Sequence, residues 1–186
     1  GAFDDSHIFL DPLPATDLAF VERLRLIKLS NSSWNDYDRK LISKGGGVFK
    51  RSMKLIPLSE EVRVMLAVEE KELSPNAIIQ AMLRASVDLL YVGMSGTFVK
   101  SSAESELSIT DRSNESCRVN GHEIRCRVVC EGVNTGFTQA SRHEYSLSNG
   151  LINGSYIDNS ALIQYSDYIV NLKVLLDNVV NDTKLT

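Results

Sequence analysis

Chemistry in this chain could come from three cysteines (Cys117, Cys126, Cys130) and three histidines (His7, His122, His143). Cys117, His122, Cys126 and Cys130 follow a C-x4-H-x3-C-x3-C spacing. It matches no common structural zinc pattern, so no metal site is expected. Cys126 and Cys130 alternate with Ile124 and Val128 and read as small core residues. A Cys126–His122 catalytic pair would be residues four apart on one strand, about 13 Å along the chain. Three cysteines make no disulfide framework and point to a reducing compartment.

The run "LISKGGGVFKRSMKLIP", residues 41–57, offers a different chemistry. A phosphate loop needs GxxxxGK[ST] between a strand and a helix, and neither that spacing nor GxGxxG occurs here. No cofactor is therefore expected. Read as a flexible basic loop over 43–54, it combines Lys44, Lys50, Arg51 and Lys54 with the apolar tip Val48 and Phe49. Such a loop suits an anionic membrane surface, each cation contributing about 1 kcal/mol. The same loop could hold nucleic-acid phosphates. Phe49 is its only aromatic residue, where single-strand binders interleave several.

Charge is polarised along the chain. Residues 1–22 carry five acids and no Lys or Arg, whereas residues 23–58 carry nine cations against two acids. The basic third is expected to meet a polyanion or an acidic region of a second copy. With 43% hydrophobic and 24% charged residues, the composition is that of a globular domain. No apolar run reaches the roughly 18 residues that cross a bilayer.

The positioning elements read as α+β: a single domain with a mainly antiparallel sheet packed with two main helices. Residues 1–16 are expected to form an extended N-terminal arm and 17–186 the globular domain. "EEVRVMLAVEE" alternates apolar and polar residues like a strand over 62–68. Ser74 and Pro75 open a helix carrying Ile78, Ile79, Met82 and Leu83 on one face. Asn120-Gly121 suggests a type I′ hairpin with Arg118 opposite Glu123. In the tail, Leu162, Tyr165, Ile169, Leu172, Leu176 and Val179 have helical spacing and are expected to pack in the core.

The stretch "YVGMSG", Tyr91 to Gly96, follows a strand, a turn and a helix. It resembles the matrix proteins of rhabdoviruses, where a similar Tyr-(Ile/Val)-Gly-Met-small-Gly stretch follows the first helix. The resemblance implies a non-enzymatic structural protein that self-associates, binds the inner face of the envelope peripherally and condenses the viral nucleocapsid in assembly and budding. It implies a virion location beneath the envelope, with host cytoplasm, membranes and nucleus as further places, and host-protein partners. The membrane contact would fall on Lys44, Val48, Phe49, Lys50, Arg51 and Lys54, and self-association on Ile8, Phe9, Leu10, Tyr91 and Met94. Two departures stand: the amino-terminal arm is acidic rather than basic, and no PPxY or PSAP motif is present. The alternatives are a viral nucleic-acid-binding or movement-type protein using the same loop, and a small cytosolic enzyme with a Cys/His site.

Overall fold

The structure, a computed structural model, describes residues 1–93, 96–132, 135–160 and 165–181. These residues form an α+β fold with several small sheets and six helices. An antiparallel sheet is built from β1 (Ala2–Phe3), β2 (His7–Leu10) and β3 (Gly47–Lys50), in that order. A parallel sheet has the order β10 (Leu151–Ile152), β9 (Val128–Glu131), β6 (Leu89–Val92). Two small pairs complete the set. β4 (Ile56–Pro57) lies antiparallel to β5 (Glu72–Leu73), and β7 (Val99–Lys100) parallel to β8 (Val119–Asn120). Parallel and antiparallel pairings are thus mixed, and the expected mainly antiparallel sheet is corrected.

Leu89–Val92 is apolar throughout, as strands of parallel sheets are, but only Val92 is buried while Leu89 and Tyr91 are exposed. Helix α4 (Gln139–Leu147) makes the crossover from β9 to β10, capped by Thr138, whose hydroxyl accepts the Ser141 N–H at 3.0 Å. Helix α3 (Pro75–Leu83) buries Ile78 and Ile79 fully in the main core. It starts as the sequence indicates: Ser74 Oγ accepts the Ala77 N–H at 3.3 Å and Pro75 is its first residue. Helix α1 (Thr16–Ile27) turns Ala19, Glu22 and Leu26 inward. Buried Glu22 accepts Arg25 Nε at 2.8 Å and the Asp38 N–H at 2.8 Å, tying the helix to the following loop.

Three local expectations are corrected. Residues 60–66 form helix α2 (Glu60–Leu66), not a strand. Ser59 caps it through the Val62 N–H at 3.1 Å, and Val62 and Leu66, four apart, are buried while Val64 is exposed. The alternation of valines was therefore accidental. The Asn120-Gly121 hairpin is absent. Asn120 has φ −90° and opens a 3-10 turn, its N–H donating to Glu123 Oε2 at 2.7 Å. Arg118 instead pairs with Glu106 and Asp111, and Glu123 with Arg84. The tail is helical as expected, a short π turn at Tyr165–Ile169 leading into α6 (Val170–Asn181). Its Leu172 and Leu176 are exposed rather than in the core, and Leu162 lies outside the described residues. The short helix α5 (Ser155–Asp158) precedes it.

Candidate functional site at the ends of two parallel strands

β6 and β9 run side by side and finish together, with Val92 opposite Glu131 in the register. Each is followed at once by glycine, Gly93 and Gly132, and the second strand's loop is locked to the first by Gly132 N–H donating to the Val92 carbonyl at 2.9 Å. The loops meet again further out. Gly96 N–H donates to Thr135 Oγ1 at 3.2 Å, and the N–H groups of Phe98 and Val99 donate to the Gly136 carbonyl at 2.9 and 3.1 Å. In open parallel sheets, ligands bind in the crevice outside the carboxyl ends of the strands.

A side chain at these glycines would crowd its neighbours. A Cβ on Gly93 would lie 2.7 Å from the Tyr91 ring, and one on Gly132 would strike the Tyr91 hydroxyl. A Cβ on Gly136 would lie 2.7 Å from Val92 and 3.0 Å from Glu131 Oε1. Gly96 has φ +98°, a left-handed conformation that side chains avoid.

Two buried ionic groups hold these loops. Glu131 is fully buried, its Oε1 accepting the Phe137 N–H at 3.0 Å and its Oε2 meeting Arg142 Nε at 2.9 Å. Burial pushes the Glu131 carboxyl up, and the Arg142 guanidinium pulls against it. Asp111 anchors the other loop by accepting the Thr97 N–H at 2.8 Å. Partial burial would raise its carboxyl, but hydrogen bonds from Ser113 and Thr97 hold it below the usual value. Arg118, whose side chain is fully buried, donates to the Thr97 and Asp111 carbonyls at 2.9 and 2.8 Å and pairs with Glu106. Glu131 and Asp111 are thus each paired with an arginine of this chain.

The residues singled out from sequence fall elsewhere. Gly47–Lys50 is β3, paired with β2 from His7↔Lys50 to Leu10↔Gly47. Phe49 packs against the main core and Val48 against the Phe9, Leu26 and Tyr37 cluster. Lys44 pairs with Glu61 at 2.9 Å, Arg51 Nη1 donates to the Asp4 carbonyl at 3.0 Å, and Lys50 and Lys54 are exposed. Ser59 Oγ donates to the Gly45 carbonyl at 2.9 Å, fastening the glycine run to α2. Ile8, Phe9 and Leu10 are buried inside the chain itself, Tyr91 is exposed beside the two glycines, and Met94 lies outside the described residues. Cys117 and Cys126 are buried and burial pushes both thiols up. His122 Nδ1 lies 2.8 Å from Glu144, not beside a cysteine.

The sequence signal for the site was the repeated placement of glycines after two apolar strands: Gly93 and Gly96 after 89–92, Gly132 and Gly136 after 128–131.

Comparison with known proteins gives this geometry a context. The family described as "Bacterial NAD-glutamate dehydrogenase, catalytic domain" matches residues 1–186. The NAD-specific glutamate dehydrogenase of Mycobacterium tuberculosis is 46% identical over 97% of the chain, and that of Halomonas elongata 44% over all of it. The Pseudomonas aeruginosa protein of the same name is 46% identical, again over the whole chain. The chain spans only 11–12% of the length of these relatives. These matches overturn the resemblance to rhabdovirus matrix proteins. The non-enzymatic structural role falls, as do the membrane and nucleocapsid partners and the place beneath a viral envelope. Neither the nucleic-acid alternative nor the Cys/His enzyme gains support. The "YVGMSG" stretch that carried the resemblance includes the end of parallel strand β6. A strand leading into glycine is a short pattern that unrelated folds share.

Proposed function

The chain belongs to the bacterial NAD-glutamate dehydrogenase catalytic-domain family, and from that premise we propose that its 186 residues form part of the NAD-holding region of a glutamate dehydrogenase. The observation that carries this is the meeting of two glycine-bearing loops at the carboxyl ends of neighbouring parallel strands β6 and β9.

The residues fit a dinucleotide. Gly93, Gly132 and Gly136 add no side chain at the strand ends, so the backbone can come close to the cofactor. Glu131 is paired with Arg142 and Asp111 with Arg118, so neither carboxylate confronts an anionic ligand unneutralised. When bound, the nicotinamide supplies the hydride acceptor for glutamate oxidation. The chain's own contribution is to bind and orient: Glu131 holds the Phe137 amide, and Asp111 and Arg118 fix the other loop at Thr97.

The test is Gly132→Ala in the complete natural polypeptide, titrated with NAD by calorimetry. The exposed Tyr91 side chain can swing aside for the new methyl, so the fold should persist. NAD affinity is expected to fall about tenfold, roughly 1.4 kcal/mol, with glutamate KM little changed. Unaltered NAD affinity would contradict the placement.

A further inference from the structure

Three Asn-Gly pairs occur in the chain, at 120–121, 149–150 and 153–154. Asparagine is a chemically labile residue, and a following glycine has no Cβ to hinder attack of its amide on the asparagine side chain. The fold treats the three pairs differently. Asn120 Oδ1 accepts Lys100 Nζ at 3.0 Å, its N–H donates to Glu123 Oε2 at 2.7 Å, and Gly121 is buried. Asn153 Nδ2 donates to Asp158 Oδ1 at 2.9 Å. Asn149 is exposed, and among the described residues nothing ties its side-chain amide.

The turn between α4 and β10 accounts for both members of that pair. Asn149 has φ +64°, a left-handed conformation that asparagine tolerates better than most side chains. A Cβ on Gly150 would strike the ring of buried Tyr145, so a side chain there would displace the core. The Gly150 amide is loosely held as well. Its N–H donates at 3.2 Å to the Tyr145 carbonyl, which also accepts the Ser148 N–H at 3.1 Å.

We propose that Asn149 is a site of spontaneous deamidation, a slow chemical clock in the turn that leads into β10. The Gly150 amide nitrogen gives up its proton to solvent and attacks the side-chain carbonyl carbon of Asn149. The bond from that carbon to the side-chain nitrogen breaks, ammonia leaves, and a succinimide ring closes. Water then opens the ring at either carbonyl, leaving aspartate or isoaspartate at position 149. Water is the only co-reactant, and nothing is oxidised or reduced. Isoaspartate lengthens the main chain by a methylene just before β10. The Leu151 N–H donates to the Arg127 carbonyl at 3.1 Å and Leu151 stands in register with Val128, so this pairing takes up the displacement. β10 is an outer strand of its sheet, with no second neighbour to hold it in place. The inference stands apart from the cofactor reading.

The test ages the complete polypeptide at mildly alkaline pH in water labelled with heavy oxygen. Peptide mass spectrometry reads the label gained at each Asn-Gly pair. Asn149 is expected to convert about tenfold faster than Asn120 and Asn153, whose side chains must first break a hydrogen bond. In denaturant the three pairs should convert at similar rates. Equal rates in the native protein would overturn the proposal. So would a preference for Asn149 that persists in denaturant, which would trace it to neighbouring sequence rather than to the fold. Asn149→Gly keeps the left-handed turn and removes the reacting amide. Ageing should speed hydrogen exchange at Leu151 in the natural polypeptide and leave it unchanged in this variant. Exchange at Leu151 that ageing alters equally in both, or in neither, would overturn the effect on β10.

Discussion

Arg142, in the first turns of α4, places its Nε 2.9 Å from the Oε2 of fully buried Glu131 at the end of β9, while the other oxygen of that carboxylate holds the Phe137 amide at 3.0 Å. One side chain thus closes the loop after β9 upon itself, and the other neutralises it. Removing one partner of a buried pair leaves an uncompensated charge, at a cost of about 3–5 kcal/mol. Arg142→Met is expected to destabilise the 128–147 region by that amount, seen as faster local hydrogen exchange in the complete polypeptide. Exchange unchanged there would show that the pair does not hold the loop.

Glu144 has a different environment. Partial burial would raise its carboxyl, but bonds from the Ser102 hydroxyl and amide and from His122 outweigh that and hold it at about 2, against an ordinary 4.5. A depressed acid contributes stability that is fully present above the unfolded value and lost as pH falls from about 4.5 toward 2. Glu144→Gln should therefore lower stability at pH 7 by about 1–2 kcal/mol and flatten its decline below pH 5. Acid unfolding profiles that superimpose for the two proteins would refute this.

Tyr145 is buried, and its hydroxyl donates to the Cys126 carbonyl at 2.8 Å. Tyr145→Phe keeps the ring packed but leaves that carbonyl without its donor, a loss of about 1–2 kcal/mol. Thermal melting of the variant checks this, and an unshifted midpoint would mean that the bond contributes nothing net.

Ala67 ends α2 with φ +55° and ψ +49°, a left-handed conformation costly for any residue with a Cβ. Its side chain is exposed. Ala67→Gly is expected to stabilise by about 0.5–1 kcal/mol, since relief of native strain exceeds the added freedom of the unfolded chain. A lower melting temperature would be the contrary result.

What the sequence disclosed divides by range. The start of α3 was legible because Ser74 and Pro75 act within one turn, and the helical tail because its apolar spacing is regular. Residues 62–68 misled because Val62, Val64, Leu66 and Val68 satisfy a strand period, while only Val62 and Leu66 are inside. The deeper miss was the parallel sheet. β6 and β9 pair across 39 residues, and nothing local to either strand names its partner. Asn120-Gly121 also offered a local turn that drew Arg118 and Glu123 into a false hairpin. Once the strands are paired, Gly93, Gly96, Gly132 and Gly136 fall together. Neither pair of glycines names the other in the sequence.

The most direct measurement of the central claim is hydrogen exchange of the complete polypeptide with and without saturating NAD. The account predicts slowed exchange at the described amides of 91–97 and 131–137, with residues 44–54 unaffected. Protection confined to other segments, with both glycine loops unchanged, would contradict it.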